Sequence, residues 1–546
     1  MQYIYFQLFR RERWAFFSLI LSLIFTTFLF QGCQKRNKDG NVILITLDTQ
    51  RADFISSYTS QNASTPNIDA LARRGILYEN CYSLIPITLP SHASIFFSEP
   101  PHLTKNYNNG QKIKNKRRRP SFVNVFRKNG YLTAAFVSLG VLKSRFGLAE
   151  GFYYYEEAFP KGRWYLTAEE VNQRVFPWLE QNKDSKFFLW IHYSDPHDPY
   201  APPDFPDDVR VFLNDRLLGE YCLGKYITYE VDLPLEKGEN TIRFEINNIY
   251  QDKTGDVEAR FDKLSVNITE EEELGIRFSQ GWEETERRDI LLSKEMSIFS
   301  VFNDAQPRSA KLSFRGKLIL PVDAVRSLYK QEVEYMDGEI GRLRTKLEEL
   351  DLFEKTQIVM VGDHGEGLGE YFLRKGGPHF GHIHYLYDIY LKVPLIICNP
   401  SEKPTGRREK MPVTLLDIGP TVMHLKGFRR LPHFKGRNLF DLKSDAQSIS
   451  VFEETYKPEA IRDKFAVLKH PWHLIFTPEE SMYELFDLSE DPQEKENIYE
   501  EKMLAPEVVE LKRNLDSFTR KALEEKLEIK IDDKTKEMLR ALGYIR

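Results

Sequence analysis

The chain has 546 residues, enough for three to four domains of ordinary size or for one large catalytic domain with additions. Its 76 basic residues nearly balance its 81 acidic residues, giving a net charge of −5, so the composition argues against a nucleic-acid-binding protein. With 41% hydrophobic and 29% charged residues the chain is globular rather than disordered, and a mean hydropathy of −0.46 excludes a polytopic membrane protein.

Residues 1–33 are expected to form an export leader. An arginine-rich start is followed at 14–30 by an uncharged apolar stretch, as long as the core of a secretory signal and slightly short for a membrane span. Gly32 and Cys33 then resemble a bacterial lipoprotein box. We expect a lipid anchor on Cys33, with an uncleaved signal anchor as the alternative. Both place the body outside the cytoplasm, on the periplasmic or surface face, anchored to a membrane.

Predicted strands and helices alternate in the first part of the body, 40–204. The apolar run 41–47 ends at Asp48 and is typical of a buried parallel strand whose carboxyl end presents a polar residue to a ligand. The segment 65–75 has the N-cap threonine, the first-turn proline and the final glycine of a complete short helix. Further strands are predicted at 132–137 and 187–192.

From about 205 to 320 the hydrophobic pattern changes to a period of two. Val209, Val211 and Leu213 alternate with polar residues, and the same alternation recurs around Phe244. Turn-like polar and glycine residues separate these runs. The segment is therefore predicted to be an inserted antiparallel β-domain, such as a sandwich. Whether it binds sugars or a partner, or is only a structural spacer, stays open.

The α/β pattern returns after 320. Apolar residues recur at helical spacing between 322 and 350, which predicts a long amphipathic helix. Buried strands are predicted next, at 357–361 and 393–397. We therefore expect a doubly wound α/β/α sandwich whose catalytic core is split into 40–204 and 321–500, with a helical tail at 501–546.

Polar clusters adjoin several of these strands. They are Asp48 to Arg51, Asp195 to Tyr200, Asp363 to Glu366, and Gly381 to His384. Carboxylates and neutral imidazoles at neighbouring strand ends are suitable ligands for a divalent metal. A single Asp-His pair is more often a loop cap, but four such clusters together predict a metal site. Thr88 is a candidate nucleophile, although taken alone it is typical of a turn or helix cap.

The motifs resemble those of the sulfatase family of the alkaline phosphatase superfamily. The resemblance covers about 40–204 and 320–546, in the family's order. It rests on Asn41 to Asp48, Arg51-Ala-Asp53, Thr65 to Leu71, Thr88-Leu-Pro-Ser-His92, Asp195-Pro-His-Asp-Pro-Tyr200, Val361-Gly-Asp-His-Gly-Glu366, Tyr483 to Leu488 and Leu542 to Ile545.

The resemblance implies a role for each matching residue. The implied metal ligands are Asp48, Asp363 and His364, together with the oxygen of the nucleophile Thr88. The residues implied to hold the transferred group or assist the leaving group are His197 and His382. Those expected beside the substrate are His92, Asp195 and Glu366, with Asp195 and His382 as alternative ligands of a second metal.

Two departures from the family pattern change the expected chemistry. A sulfatase nucleophile is a Cys or Ser oxidised to formylglycine within Cys/Ser-x-Pro-x-Arg, whereas this chain has Thr88 and, in place of the arginine, His92. Thr49 replaces the second aspartate of the family's Asp-Asp pair. Both changes favour one or two ions of zinc or manganese over calcium. They predict a phosphate mono- or diester hydrolase with a plain threonine nucleophile.

Two alternatives remain open at this point. One is a sulfuric ester hydrolase of unusual type. The other is a catalytically inactive surface lipoprotein that binds a glycan or protein through the β-insert, suggested by Ser98-Glu99 where the family usually has Thr-Gly. The expected partners are a small-molecule, glycan or lipid ester and, through the leader, a membrane; nucleic acid is not expected.

Overall fold

The structure is a computed structural model that describes the chain from residue 40 onward, with short gaps. The described residues are 40–113, 119–161, 163–203, 205–223, 227–246, 258–269, 272–284, 291–304, 306–373, 376–400, 403–442, 449–456, 462–526 and 531–542. The predicted leader and its Cys33 lie outside them. Within these ranges, no helix is both long enough and apolar enough to cross a membrane.

A nine-stranded mixed sheet forms the centre of the catalytic part. In spatial order its strands are Arg407–Glu409, Ile76–Tyr82, Lys392–Cys398, Thr356–Gly362, Asn41–Leu47, Phe187–Tyr193, Leu132–Phe136 and Tyr154–Glu156, with Val413–Thr414 beside Ile76–Tyr82. The four strands predicted after Asn41–Leu47 are confirmed to within a residue at each end. Asn41–Leu47 is parallel to both of its neighbours, so the carboxyl ends of three strands meet at one edge.

Helices cover both faces of this sheet. One face carries Pro66–Arg74, Ala168–Asn182 and Val322–Glu349, and the other carries Thr88–Phe97, Phe122–Lys128, Ile418–Leu425 and Asp533–Ala541, with the short helices Pro101–Thr104 and Asp388–Leu391 beside them. Val42 and Leu44 pack into one hydrophobic cluster while Ile43 and Ile45 pack into the other, because successive strand residues point to opposite faces. The predicted α/β/α fold class is confirmed.

Antiparallel strands fill the segment predicted as an insert. They are Val209–Leu213, Arg216–Tyr221, Tyr229–Leu235, Gly238–Ile246, Glu258–Asn267, Glu273–Leu274, Ile276–Glu284, Leu291–Asn303 and Arg308–Ile319, and they form one nine-stranded sheet. Their alternating apolar residues gather into one cluster around Phe244 and Phe314. The last strand leads directly into the long helix, and its Lys317 forms an ion pair with Asp198 at 3.1 Å.

A second antiparallel sheet follows in the C-terminal part and was not predicted. Its strands are Val451–Thr455, Lys464–Lys469, Trp472–Thr477 and Met482–Asp487, next to the helices Tyr499–Lys502 and Pro506–Glu525; a separate hairpin is formed by Gly367–Phe372 and Pro378–Gly381. Inside the sheet, His473 is buried between two carboxylates. It lies 3.0 Å from Glu453 and 2.6 Å from Glu494. Burial lowers the pKa of His473, but both glutamates raise it more, so its net value is well above the usual one.

Candidate active site and metal centre

The ends of two adjacent parallel strands bring three predicted metal ligands together. Asp48 follows Asn41–Leu47, while Asp363 and His364 follow the neighbouring strand Thr356–Gly362. The Asp363 amide donates to the Leu47 carbonyl at 3.2 Å, which locks the two strand ends in register. Asp48, Asp363 and His364 are buried, and each offers one ligand atom within 4.8 Å of the other two.

The carboxylates of this cluster fit a bound cation. Both side-chain oxygens of Asp48 and Oδ2 of Asp363 are buried without a hydrogen-bond partner in the described part of the chain. Burial and the adjacent Asp48 raise the pKa of Asp363 well above its usual value. Burial also raises the pKa of Asp48, but neighbouring histidines, His192 first, lower it below its usual value. Two carboxylates buried in this way are costly unless a cation pairs with them.

Thr49 shapes the turn that follows Asp48. Its backbone has a positive φ of 53°, and its amide donates to Asp363 Oδ1 at 3.1 Å. Its hydroxyl lies 2.6 Å from the carbonyl oxygen of Pro196, to which it donates. The threonine that replaces the family's second aspartate therefore contributes hydrogen bonds instead of a negative charge.

Thr88 is the first residue of a buried helix, Thr88–Phe97. Its hydroxyl oxygen lies 3.3 Å from His364 Nε2. That nitrogen is in turn 3.7 Å from Asp48 Oδ1 and 3.5 Å from Asp363 Oδ2. The first turn of a helix also presents amide N–H groups and a positive dipole end, which favour a developing negative charge. The strand before this helix, Ile76–Tyr82, ends at Tyr82.

His92 lies one turn further along the same helix. Its Nδ1 is 2.8 Å from the Thr88 carbonyl oxygen, to which it donates, and its Nε2 is 3.0 Å from the Thr46 hydroxyl. Thr46 also accepts a hydrogen bond from the Trp190 indole at 2.8 Å, so its own proton points to His92. Burial lowers the pKa of His92 to about 3, so the ring is neutral. His92 therefore anchors the first turn of the helix; its expected contact with substrate stays a prediction.

Glu366 connects two other predicted residues. One of its oxygens accepts from His382 Nδ1 at 2.8 Å, and the other accepts from the Tyr200 hydroxyl at 2.6 Å. The His382 ring lies 4.4 Å from that of His364 and 5.4 Å from that of His197, between ring centroids. The imidazoles of His382 and His197 thus lie next to that of His364 in the cluster, and Glu366 fixes the orientation of the middle ring, His382.

Asp195 lies beside the cluster but outside the group of predicted ligands. Its Oδ1 accepts from the Ala168 amide at 2.8 Å, at the start of the helix Ala168–Asn182. Burial raises the pKa of Asp195 to about 7. The residue lines a cavity together with His197, Asp198, Tyr165, Glu332 and Tyr335. Its expected contact with substrate, and the alternative of a second metal site, stay predictions.

His192 also belongs to this site, although the sequence predicted only that it lies in a strand. It is buried near the end of Phe187–Tyr193, and its Nε2 lies 3.3 Å from Asp48 Oδ2. Its Nδ1 is 2.7 Å from the Ser138 hydroxyl. A signal was present in the sequence, since His192 is an ionisable residue in an otherwise apolar and aromatic run.

Comparisons with known proteins find relatives and similar folds over most of the chain. The N-acetylglucosamine-6-O-sulfatase of Bacteroides thetaiotaomicron is 20% identical, over 88% of this chain and 87% of the relative. Another protein, whose structure was solved in complex with its substrate D-glucosamine-2-N,6-O-disulfate, is similar in fold. Its TM-score is 0.58 at 16% identity, and the match covers 90% of this chain and 100% of that protein. The phosphonate monoester hydrolase of Agrobacterium radiobacter has a TM-score of 0.57 at 15% identity, covering 88% and 96%.

Two family models match the chain itself. The model for the N-sulphoglucosamine sulphohydrolase C-terminal region matches residues 379–521. The sulfatase model matches residues 40–428, which is more than half of the chain and includes every site residue described above. The chain therefore belongs to the sulfatase family of hydrolases.

Proposed function

We propose that this sulfatase-family hydrolase cleaves phosphate mono- or diesters, with Thr88 as the nucleophile and a divalent metal held by Asp48, Asp363 and His364. One observation carries the proposal. The Thr88 hydroxyl lies 3.3 Å from His364 Nε2, at the start of a buried helix and beside carboxylate oxygens that lack hydrogen-bond partners among the described residues.

The choice of phosphate follows from the nucleophile. Threonine cannot be oxidised to the aldehyde of formylglycine, so a covalent intermediate on Thr88 has to be broken by water attacking the transferred group. This is feasible at phosphorus and less well precedented at sulfur. The phosphonate monoester hydrolase with a similar fold supports attack at phosphorus on this scaffold. Sulfuric ester hydrolysis remains the second candidate, because the named relatives are sulfatases.

The metal in this proposal is zinc or manganese rather than calcium. The imidazole of His364 is a ligand that borderline dications accept and calcium does not favour. A bound dication would stabilise the Thr88 alkoxide and neutralise charge on the phosphoryl oxygens.

The remaining steps use residues of the chain. Thr88 loses its hydroxyl proton to solvent, and its Oγ forms a bond to phosphorus while the bond from phosphorus to the leaving oxygen breaks and the leaving oxygen takes up a proton. His197 and His382 stand beside the cluster, where they can hold the phosphoryl group or supply that proton. Glu366 keeps His382 in position. Water then attacks phosphorus, the bond to Thr88 breaks, and the threonine hydroxyl is restored as phosphate or a monoester leaves.

The alcohol side of the ester would occupy the cavity next to His197. The carboxyls of Asp195 and Glu332 and the rings of Tyr165 and Tyr335 line it, which is a suitable lining for sugar hydroxyls. The structural neighbour solved with a glucosamine disulfate supports a substrate of this class.

The activity is tested on the full chain purified in mild detergent and supplied with zinc or manganese. We expect turnover of an aryl phosphodiester or monoester above that of the aryl sulfate, and loss of turnover in Thr88→Ala. Thr519→Ala, a buried threonine on the C-terminal helix, is the matched control and should keep full activity. Unchanged activity in Thr88→Ala refutes the nucleophile. Preference for the sulfate ester supports sulfatase chemistry, and a metal-loaded protein without turnover supports the inactive binding protein.

We also propose that the enzyme is exported and anchored outside the cytoplasm through Cys33. The apolar stretch before a cysteine in the leader supports this. Membrane fractionation with fatty-acid labelling of wild type and Cys33→Ser tests it. A lipoprotein loses its label and its membrane association in the variant, an uncleaved anchor keeps residues 1–33 and stays in the membrane in both, and a soluble cytoplasmic wild type refutes export.

A further inference from the structure

His192 faces the metal ligands from the strand on the other side of Asp48. It stands opposite Thr46 in the parallel pairing of Phe187–Tyr193 with Asn41–Leu47. Its Nε2 is buried, lies 3.3 Å from Asp48 Oδ2 and has no hydrogen-bond partner in the described ranges.

The hydrogen bonds on the far side of the ring decide which nitrogen carries the proton. The Ser138 hydroxyl donates to the Ser194 hydroxyl at 2.8 Å, so it cannot also donate to His192. Its oxygen lies 2.7 Å from His192 Nδ1 and accepts the proton of that nitrogen. In the neutral ring the Nε2 lone pair then points at a carboxylate oxygen, a repulsive contact unless a cation lies between them.

We infer that His192 Nε2 is a further ligand of the metal held by Asp48, Asp363 and His364. The inference rests on the proposed metal centre and adds a second imidazole to it. Ligands of a tetrahedral ion with bonds of about 2.0–2.1 Å lie about 3.3–3.4 Å apart. His192 Nε2 lies 3.3 Å from Asp48 Oδ2, and His364 Nε2 lies 3.7 Å from Asp48 Oδ1 and 3.5 Å from Asp363 Oδ2, so the two imidazoles approach the two oxygens of Asp48 at separations close to that spacing.

The neighbouring His92 does not serve in the same way. His92, His192 and Asp363 also form a cluster with ligand atoms within 4.8 Å. However, His92 Nδ1 donates to the Thr88 carbonyl, and its Nε2 accepts from the Thr46 hydroxyl. Both nitrogens of His92 therefore take part in hydrogen bonds. Of the two histidines, only His192 has a ring lone pair available for a metal. This favours one ion with an added ligand over a separate second ion.

The added ligand determines which metal the site prefers. Two imidazoles and two carboxylates are a typical zinc set, whereas calcium prefers oxygen ligands only. Ser138 acts as the outer partner that fixes the ring and its tautomer. His192 thus compensates for the ligand lost when Thr49 took the place of the family's second aspartate.

The test measures metal binding rather than turnover. The full chain in mild detergent is stripped with a chelator and titrated with zinc and calcium against a chromophoric indicator. His192→Gln should weaken zinc binding about 10- to 100-fold or more, and should change the visible spectrum of the cobalt-loaded protein, while calcium binding stays within about twofold. Ser138→Ala should have a smaller effect in the same direction. His102→Gln, a buried histidine bonded to Glu454, is the matched control and should bind zinc as wild type does.

A second measurement needs no variant. X-ray absorption at the zinc edge of the loaded wild type should require two imidazoles in the first coordination shell. One imidazole, or zinc affinity and a cobalt spectrum in His192→Gln equal to those of wild type, overturns the inference. A wild type that binds no zinc also overturns it. Thr88→Ala separates this result from the proposed reaction, since it should lose turnover and keep zinc.

Discussion

Asp48 and Asp363 place two carboxylates in one buried cluster, and this makes the metal-free protein sensitive to the charge of Asp363. In Asp363→Asn the retained oxygen can still accept from the amides of His364 at 2.7 Å and Thr49 at 3.1 Å. The second oxygen, which has no hydrogen-bond partner among the described residues, becomes an NH₂ group able to donate to Asp48. The substitution should therefore stabilise the metal-free protein while it removes a metal ligand.

The expected gain is about 1–3 kcal/mol, the usual cost of a buried polar group left unpaired. In excess zinc the order of stability should reverse, so that wild type is more stable than Asp363→Asn. A metal at 1,000 times its Kd stabilises a protein by about 4.1 kcal/mol, and the variant loses most of this gain. A pH dependence follows as well. Because the folded pKa of Asp363 is raised above its usual value, the stability of the metal-free wild type should fall as pH rises from about 4 toward that folded pKa. Asp363→Asn removes this decline.

Urea unfolding in chelator and in excess zinc, followed by tryptophan fluorescence at several pH values, measures all three effects. The chain has several domains, so the transition of the catalytic part is the one compared. Lower stability of Asp363→Asn in chelator would show that Asp48 and Asp363 do not destabilise each other. Equal stabilisation of both proteins by zinc would show that Asp363 does not bind it.

Further predictions concern the surroundings of the site and the C-terminal sheet. Tyr200→Phe removes the hydroxyl 2.6 Å from Glu366 and should lower kcat, because His382 is then held less firmly, and should destabilise the protein by about 1–3 kcal/mol in urea unfolding, because one Glu366 oxygen loses its donor. Asp195→Asn should abolish a rise in KM above about pH 7, where the ionised carboxyl beside the cavity repels an anionic ester; a rise that persists in the variant contradicts this. His473→Gln should destabilise the protein by about 3–5 kcal/mol in urea unfolding, because two buried carboxylates lose their cation.

Uniform apolar runs made the central sheet predictable. Asn41–Leu47 is buried at every position, and Asp48 follows it directly, so a ligand at the strand end could be expected from the sequence. The β-insert was predictable for the opposite reason, since a partly exposed strand such as Tyr229–Leu235 shows its period of two. In both cases the local pattern of the sequence reflects which faces are buried.

In the C-terminal sheet, Lys464–Lys469 has only a short apolar run and no period of two. Lys464–Lys469 packs Ala466 and Leu468 into one hydrophobic cluster and Phe465 and Val467 into another, so all four interior residues are apolar and no alternation remains. His192 was missed for a related reason. Its partners, Asp48 and Ser138, follow two other strands of the sheet. Only the register that aligns His192 with Thr46 brings it to Asp48.

The residues that depart from the family pattern form hydrogen bonds within the site, and this bears on whether the site is active. Thr49 binds Asp363 through its amide and Pro196 through its hydroxyl. His92 binds the carbonyl of Thr88, the altered nucleophile. A site that had decayed without selection for chemistry would be expected to lose such partners one at a time. Here the altered residues hold the proposed ligand and nucleophile in place, while the metal-facing oxygens stay unpaired within the described ranges. That combination supports the proposed metal centre and the proposed threonine nucleophile over an inactive site.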